Sequence, residues 1–159
     1  WGFKKKYKII ITMDKIGTHN PIYISQMIKL LNKKKCLITS TNRFLDQKSL
    51  VSWSLWRRFL TSLRHLLIKF MLGISFDSSG AFRGYMVNKV KLKDILLAKN
   101  NSYSFFWESI YILSKKYSIK EISIRLPARK SGDSKMRLRD ILSALFYLTF
   151  FSLIKRFII

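Results

Sequence analysis

Apolar residues recur along this chain in two rhythms, and the changes between them mark the elements. Lys8 to Met13 is β-branched and largely apolar and predicts a strand. Pro21 suits the first turn of a helix running to about Asn32, with Ile24, Met27, Ile28 and Leu31 on one face. "CLITST", from Cys36, predicts a second short strand, and Arg43 to Ser52 is a polar loop. Trp53 to Leu72 is the clearest helix. Trp53, Trp56, Leu60, Leu63, Leu67 and Phe70 recur at helical spacing, Arg57, Arg58, Arg64, His65 and Lys69 fill much of the rest, and Gly73 ends it. Such a basic amphipathic helix packs on a sheet or lies on an anionic membrane. Packing is the expectation here, because apolar stripes commonly face a core.

"FDSSGAFRGY", Phe76 to Tyr85, reads as a loop entering a short strand. Val87 to Ala98 predicts a helix. Ser102 to Tyr117 predicts a stronger one, with Phe106, Ile110, Leu113 and Tyr117 on one face. "IKEISIRL", Ile119 to Leu126, alternates as a half-exposed strand that Pro127 ends. "ARKSGDSK" is a basic loop, and Met136 opens a last helix. Ile141 to Ile154 carries no charge over about 14 residues, short of the ~20 that a spanning helix needs. Arg137 and Arg139 before this run, with Lys155 and Arg156 after it, favour a helix at the membrane surface. Strands and helices alternate, so the class is α/β.

Composition narrows the partners. Of 159 residues, 48% are hydrophobic and 14% aromatic, enough for one modest domain with a core. Lys and Arg number 31 against 8 acidic residues, a net charge of +23 that attracts polyanions: nucleic acid, anionic lipid or phosphate-bearing substrates. A Lys- and Ile-rich chain also follows from genomic base composition. Cys36 is the only cysteine and forms no internal disulfide; a buried, inert thiol in a reducing compartment is expected. Two histidines, His19 and His65, and one cysteine give no metal-ligand spacing. The chain begins at Trp1, which suggests that residues preceding it are missing.

One stretch carries candidate chemistry. "IIITMDKIGTHNP", Ile9 to Pro21, delivers Asp14 to the end of the first strand, the edge at which open α/β sheets bind ligands. A strand-end carboxylate of this kind often holds a divalent metal with a second carboxylate nearby, but two residues on stands Ile16.

Together with "SWSLWRRFLTSLRHLLIKFMLG", "FDSSGAFRGY", "YSFFWES" and "EISIRLPARKSGDSKMRLRDIL", this stretch resembles, in order, the family 2 glycosyltransferases, and within them the dolichyl-phosphate or polyprenyl-phosphate mannosyl- and glucosyltransferases. The resemblance spans Tyr7 to about Leu145. It implies a partial GT-A (Rossmann-like) glycosyltransferase domain with a C-terminal amphipathic or interfacial helix. Residues 1–135 would be the C-terminal part of the catalytic domain and 136–159 the apolar helix, with the nucleotide-binding half before Trp1.

The resemblance also implies roles for single residues. Asp14 matches the first Asp of the family's metal motif, Ile16 stands where the second belongs, and Thr18 aligns beside them; the metal would be Mg²⁺ or Mn²⁺. Gly80 would let the backbone approach substrate, and Arg83 would hold a phosphate. Arg129, Ser134 and Lys135 match a loop that closes over the diphosphate, with Gly132 supplying its turn. Glu108 matches an acidic residue near the acceptor site and would orient an Arg such as Arg83. The implied reaction is inverting transfer of mannose or glucose from GDP-mannose or UDP-glucose to a polyprenyl phosphate at the cytoplasmic face of a membrane. The alternatives are an inactive relative that lacks the second metal Asp, or a basic membrane- or nucleic-acid-binding module; nucleic acid is not expected as a partner, since no recognition motif appears.

Overall fold

In the computed structural model the described residues are 2, 3, 5, 7–14, 19–127 and 138–155. They form β1 (Ile9–Thr12), α1 (Ile22–Asn32), β2 (Ile38–Asn42), α2 (Leu55–Leu72), β3 (Arg83–Met86), α3 (Leu92–Ile95), α4 (Ser104–Ser114), β4 (Ile119–Ser123) and α5 (Leu138–Ile154). The four strands make one mixed sheet in the order β1-β3-β2-β4. β3 runs antiparallel to both neighbours, and β2 pairs parallel with β4 from Ile38↔Ile119 to Asn42↔Ser123. The α/β class expected from the sequence is what the chain adopts, and a mixed sheet flanked by helices is consistent with part of a GT-A domain.

Local chemistry explains the ends of the elements. Asn20 Oδ1 accepts the Ile22 N–H at 3.0 Å and so starts α1 just after Pro21. Ser54 caps α2 by accepting from the Arg57 N–H, and Gly73 ends it with a φ of 69°, a conformation open to glycine at no steric cost. α1 buries Met27 and Leu31 on the sheet, where Met27 meets Phe82, Ile122 and Ile124. Cys36 is buried beside Leu31 and Met86, and burial pushes its thiol up from its ordinary value, as expected of an inert side chain.

Two expectations need correction. Val87 to Ala98 is not one helix. The chain turns after β3, with the Val90 N–H on Met86 O, and only Leu92–Ile95 is helical. Asp94 is held there by Lys116 Nζ at 2.8 Å and by the Tyr117 hydroxyl, a tertiary clip that helical spacing does not reveal.

The second correction concerns α2, which does not pack by its apolar stripe. Trp56 is 68% and Phe70 87% exposed, and Leu60 and Leu63 also face outward. The helix instead buries Ile68 and Leu72 in a cluster with Trp107 and Tyr111 of α4 and Leu148 and Phe151 of α5. α5 is likewise buried along one line and bare along another, where Leu142, Phe146, Phe150 and Leu153 are exposed. Among the described residues no helix is long and apolar enough to cross a membrane.

Candidate functional site

The antiparallel placement of β3 brings three chain segments to one sheet edge. Thr12 at the end of β1 pairs with Arg83 at the start of β3, which also pairs with Ser40 of β2. Asp14, Arg43 and the Gly80–Phe82 segment therefore leave the sheet on the same side. Thr12 Oγ1 donates to Ala81 O at 2.7 Å, and the Thr41 N–H donates to Phe82 O at 3.2 Å. His19 Nδ1 accepts the Asp14 N–H at 3.1 Å. Burial lowers the His19 pKa from its ordinary value; Asp14 opposes this and Arg43 adds to it.

Arg43 emerges as a residue that sequence reasoning missed. Asp77, almost wholly buried, accepts from its main-chain N–H at 3.1 Å and from its Nε at 2.7 Å. Burial alone would raise the Asp77 carboxyl, but the charge and hydrogen bonds of Arg43, with the Ser79 hydroxyl, hold it below its ordinary value. Glu121 completes the mount. Its two oxygens accept from the Asp77 N–H at 2.7 Å and the Asn42 Nδ2 at 2.8 Å, and burial, which outweighs these bonds, raises its pKa. With Nε taken by Asp77, the outer nitrogens of Arg43 reach toward the site: Nη2 lies 3.7 Å from where a Cβ on Gly80 would stand. A Cβ there would meet Arg43 and Thr41 at ordinary contact distance, so the protein's own atoms leave room at Gly80. A signal for Arg43 was available, since it follows a strand end just as Asp14 does.

Arg43 also lines a cavity of about 370 Å³ together with Arg58, Gln47, Ser62 and Asp46, whose carboxylate accepts from Arg125 Nε at 2.9 Å. This cavity shares Phe44 and Ser62 with a second, mostly apolar one of about 400 Å³ along α2, lined by Phe59, Leu63 and Leu66. His65 stacks on Phe44 with ring centroids 4.1 Å apart and is pushed below its ordinary pKa, first by burial and then by Lys69, Arg43 and Arg64, against the pull of Asp77. Arg64 is itself lowered to about 10 by burial and by Arg43. A cavity lined by two arginines and one carboxylate thus lies beside an apolar one.

The structure gives Arg83 and Glu108 other partners than those expected. Arg83 is 2% exposed; Nη1 donates to Ser109 Oγ at 2.9 Å, and Nη2 donates to Ser78 O at 3.2 Å and Phe106 O at 2.6 Å. It braces the Ser78–Gly80 loop against α4, while its buried Nε has no hydrogen-bond partner among the described residues. Glu108 does not orient it. The Glu108 carboxylate accepts the N–H groups of Lys99 and Asn100 at 2.9 and 3.1 Å, and Tyr147 of α5 donates to it. That contact, after burial, pushes the Tyr147 hydroxyl up to about 12. Thr18, Arg129, Ser134 and Lys135 lie outside the described residues, as does Ile16. Among the described residues no group of three or more His, Cys, Asp or Glu is placed to hold a metal ion.

No protein-family model matches the chain. Among characterised proteins, the polyprenol monophosphomannose synthase of Mycolicibacterium smegmatis is 25% identical over 152 residues, which is 92% of this chain and 56% of that protein. The undecaprenyl-phosphate mannosyltransferase of Micrococcus luteus is 23% identical over 138 residues, 86% of this chain and again 56% of that protein. The chain is similar to the polyprenyl-phosphate mannosyltransferases. The resemblance carried by its motifs is thereby borne out, and it extends along nearly the whole chain. The chain spans a little over half the length of these mannosyltransferases.

Proposed function

We propose that the chain is the acceptor-side part of a mannosyltransferase that moves mannose from a nucleotide sugar to a polyprenyl phosphate. The observation that carries this reading is the convergence of Asp14, Arg43 and Gly80 at one sheet edge, next to a cavity that Arg43 and Arg58 line and that shares Phe44 and Ser62 with an apolar one. The names of the similar proteins support mannose over glucose. GDP-mannose is the donor in this reading, and inversion at the sugar carbon follows from a single direct displacement. Residues 1–135 would do the chemistry and 136–159 would rest on the membrane.

The acceptor phosphate is already ionised near neutral pH, so it attacks the sugar carbon without a strong general base. Catalysis then depends on positioning and on stabilising the charge that builds on the leaving diphosphate. Arg43, fixed through Nε by Asp77, offers its outer nitrogens to an anion, and Arg58 faces the same cavity. Arg129 and Lys135 are the further cations proposed for the diphosphate. Arg83 acts here as a brace for the loop that carries Gly80.

Mg²⁺ typically takes one or two protein carboxylates and fills its remaining positions with substrate phosphates and water. One carboxylate at an open strand end fits that pattern, so Asp14 would hold the ion, and Thr18 is proposed as a further ligand. Bound there, it would offset charge on the diphosphate. The exposed apolar faces of α2 and α5, flanked by Arg57, Arg58 and Lys69, would settle the protein on an anionic bilayer where the lipid acceptor lies.

Ile16 favours one other reading, an inactive relative. The deciding experiment incubates the protein with labelled GDP-mannose, Mg²⁺ or Mn²⁺ and vesicles containing undecaprenyl phosphate. Labelled lipid product is the expected result, and Ile16→Asp should raise its rate. No product from either form would favour the inactive relative. Strongly salt-dependent DNA binding without vesicle binding would overturn the lipid assignment altogether.

A further inference from the structure

The main chain of Asp14 is held by a side chain that the proposed reaction does not otherwise use. His19 is 6% exposed, and its ring stacks on Phe82 with centroids 5.0 Å apart. Phe82 belongs to the segment that enters β3, so one imidazole touches both the end of β1 and the loop beside it. Thr12 Oγ1 ties the same two segments through Ala81 O. Packing alone would be served by any flat ring. The imidazole adds an acceptor, and that acceptor meets the main chain of Asp14 at 3.1 Å.

The position of this bond matters. Thr12 is the last residue of β1 paired with β3, so the N–H of Asp14 lies past the ladder and finds its partner in His19. A neutral imidazole whose Nδ1 accepts carries its proton on Nε2, which fixes the tautomer as well as the ring.

We propose that His19 is a positioning residue for Asp14, its Nδ1 anchoring the Asp14 main chain and thereby aiming the carboxylate at the sheet edge. This rests on the mannosyltransferase reading, in which Asp14 works beside the sugar diphosphate. Misplacement of a reacting arrangement by about 1 Å can cost on the order of a hundredfold in rate.

The test compares His19→Asn with His19→Gln. The Asn oxygen falls near the place of Nδ1, whereas the Gln amide reaches the place of Nε2. Both remove the ring from Phe82, so loss of stacking is common to the pair and their difference reports the bond. Two readouts are taken: hydrogen exchange of the Asp14 amide, and kcat with KM for mannose transfer from GDP-mannose to undecaprenyl phosphate. His19→Asn should keep the Asp14 amide protected and retain most of kcat. His19→Gln should exchange at Asp14 and lose kcat each by about tenfold, the scale of one hydrogen bond, with KM for undecaprenyl phosphate unchanged. Equal exchange at Asp14 in the two variants overturns the proposal, as does an equal kcat where the exchange differs. If the unaltered protein transfers no mannose, the mannosyltransferase reading fails, and the exchange at Asp14 still decides whether His19 anchors it.

Discussion

At the residue scale, the site is built by buried polar side chains that each hold another in place. Glu121 fixes Asp77, and Asp77 fixes Arg43. His65 sits above this chain of contacts, stacked on Phe44 and pressed by the charges of Lys69, Arg43 and Arg64, with Asp77 as its one opposing charge. Its folded-state pKa is depressed, so below about 6.5, the ordinary value, the unfolded chain binds a proton that the folded protein resists. Stability contributed by neutral His65 is therefore complete above that pH and falls away as the solution is acidified. His65→Phe keeps a flat ring against Phe44 and removes the titration. Urea unfolding at pH 7.5 and 5.5 should show a smaller loss of stability on acidification in the variant than in the unaltered protein. An equal loss in both would show that His65 does not titrate in this way.

Residue roles were the least legible part of the sequence. Asp14 and Gly80 stand out in the sequence as candidates because a strand end and a glycine turn are local signals. Arg43 does not, since its importance comes from Asp77, 34 positions away. Arg83 and Glu108 were found as candidates but given the wrong neighbours. Both look like free charges in a sequence, and only the fold shows that main-chain N–H groups hold the Glu108 carboxylate and that carbonyls and a hydroxyl hold the outer nitrogens of Arg83.

At the scale of elements, existence and ends were readable and faces were not. Pro21 and Gly73 marked one end each of α1 and α2, because caps and left-handed turns are local chemistry. The apolar stripe of α2 was read as inward because such stripes commonly are. The helix is rotated instead, since α4 and α5 offer an aromatic cluster to Ile68 and Leu72. Close approach between elements appears most clearly at Gly84, where β3 pairs with both β1 and β2 under α1. A Cβ added there would stand 2.5 Å from Thr39 Oγ1 and 3.1 Å from Leu31 Cδ1. Neither neighbour has room to retreat, since Thr39 and Leu31 are both fully buried. Gly84→Ala should cost about 1–3 kcal/mol, the usual range for overpacking a core. A lowered urea midpoint at unchanged slope is the expected observation; an unchanged midpoint would mean that α1 lifts from the sheet without penalty.

At the scale of the whole molecule, the α/β class followed from alternating patterns, whereas the strand order did not. Pairing of Thr12 with Arg83 joins residues 71 positions apart and leaves no local trace. What the fold adds at this scale is a surface. The bare sides of α2 and α5 come from two distant segments that pack together through one cluster, and they expose Trp56, Phe59, Phe70, Phe146 and Leu153. In the membrane reading proposed above, the net charge of +23 would supply long-range attraction to an anionic bilayer, and the aromatic residues would supply contact once the protein arrives. These two contributions separate experimentally, because salt weakens only the first. Phe70→Ser with Phe146→Ser removes two rings that are 87% and 77% exposed, so stability should barely change. Each ring is worth about 1.5–3 kcal/mol when fully buried in an apolar phase. The double variant should therefore lose vesicle affinity by at least tenfold in high salt, where attraction between charges is screened. The loss should be smaller in low salt, where the basic surface still recruits the protein. A blue shift of tryptophan fluorescence on adding vesicles that is lost in Trp56→Phe would report insertion of the exposed Trp56. A double variant that binds as tightly as the unaltered protein in high salt would show that these faces serve some other contact.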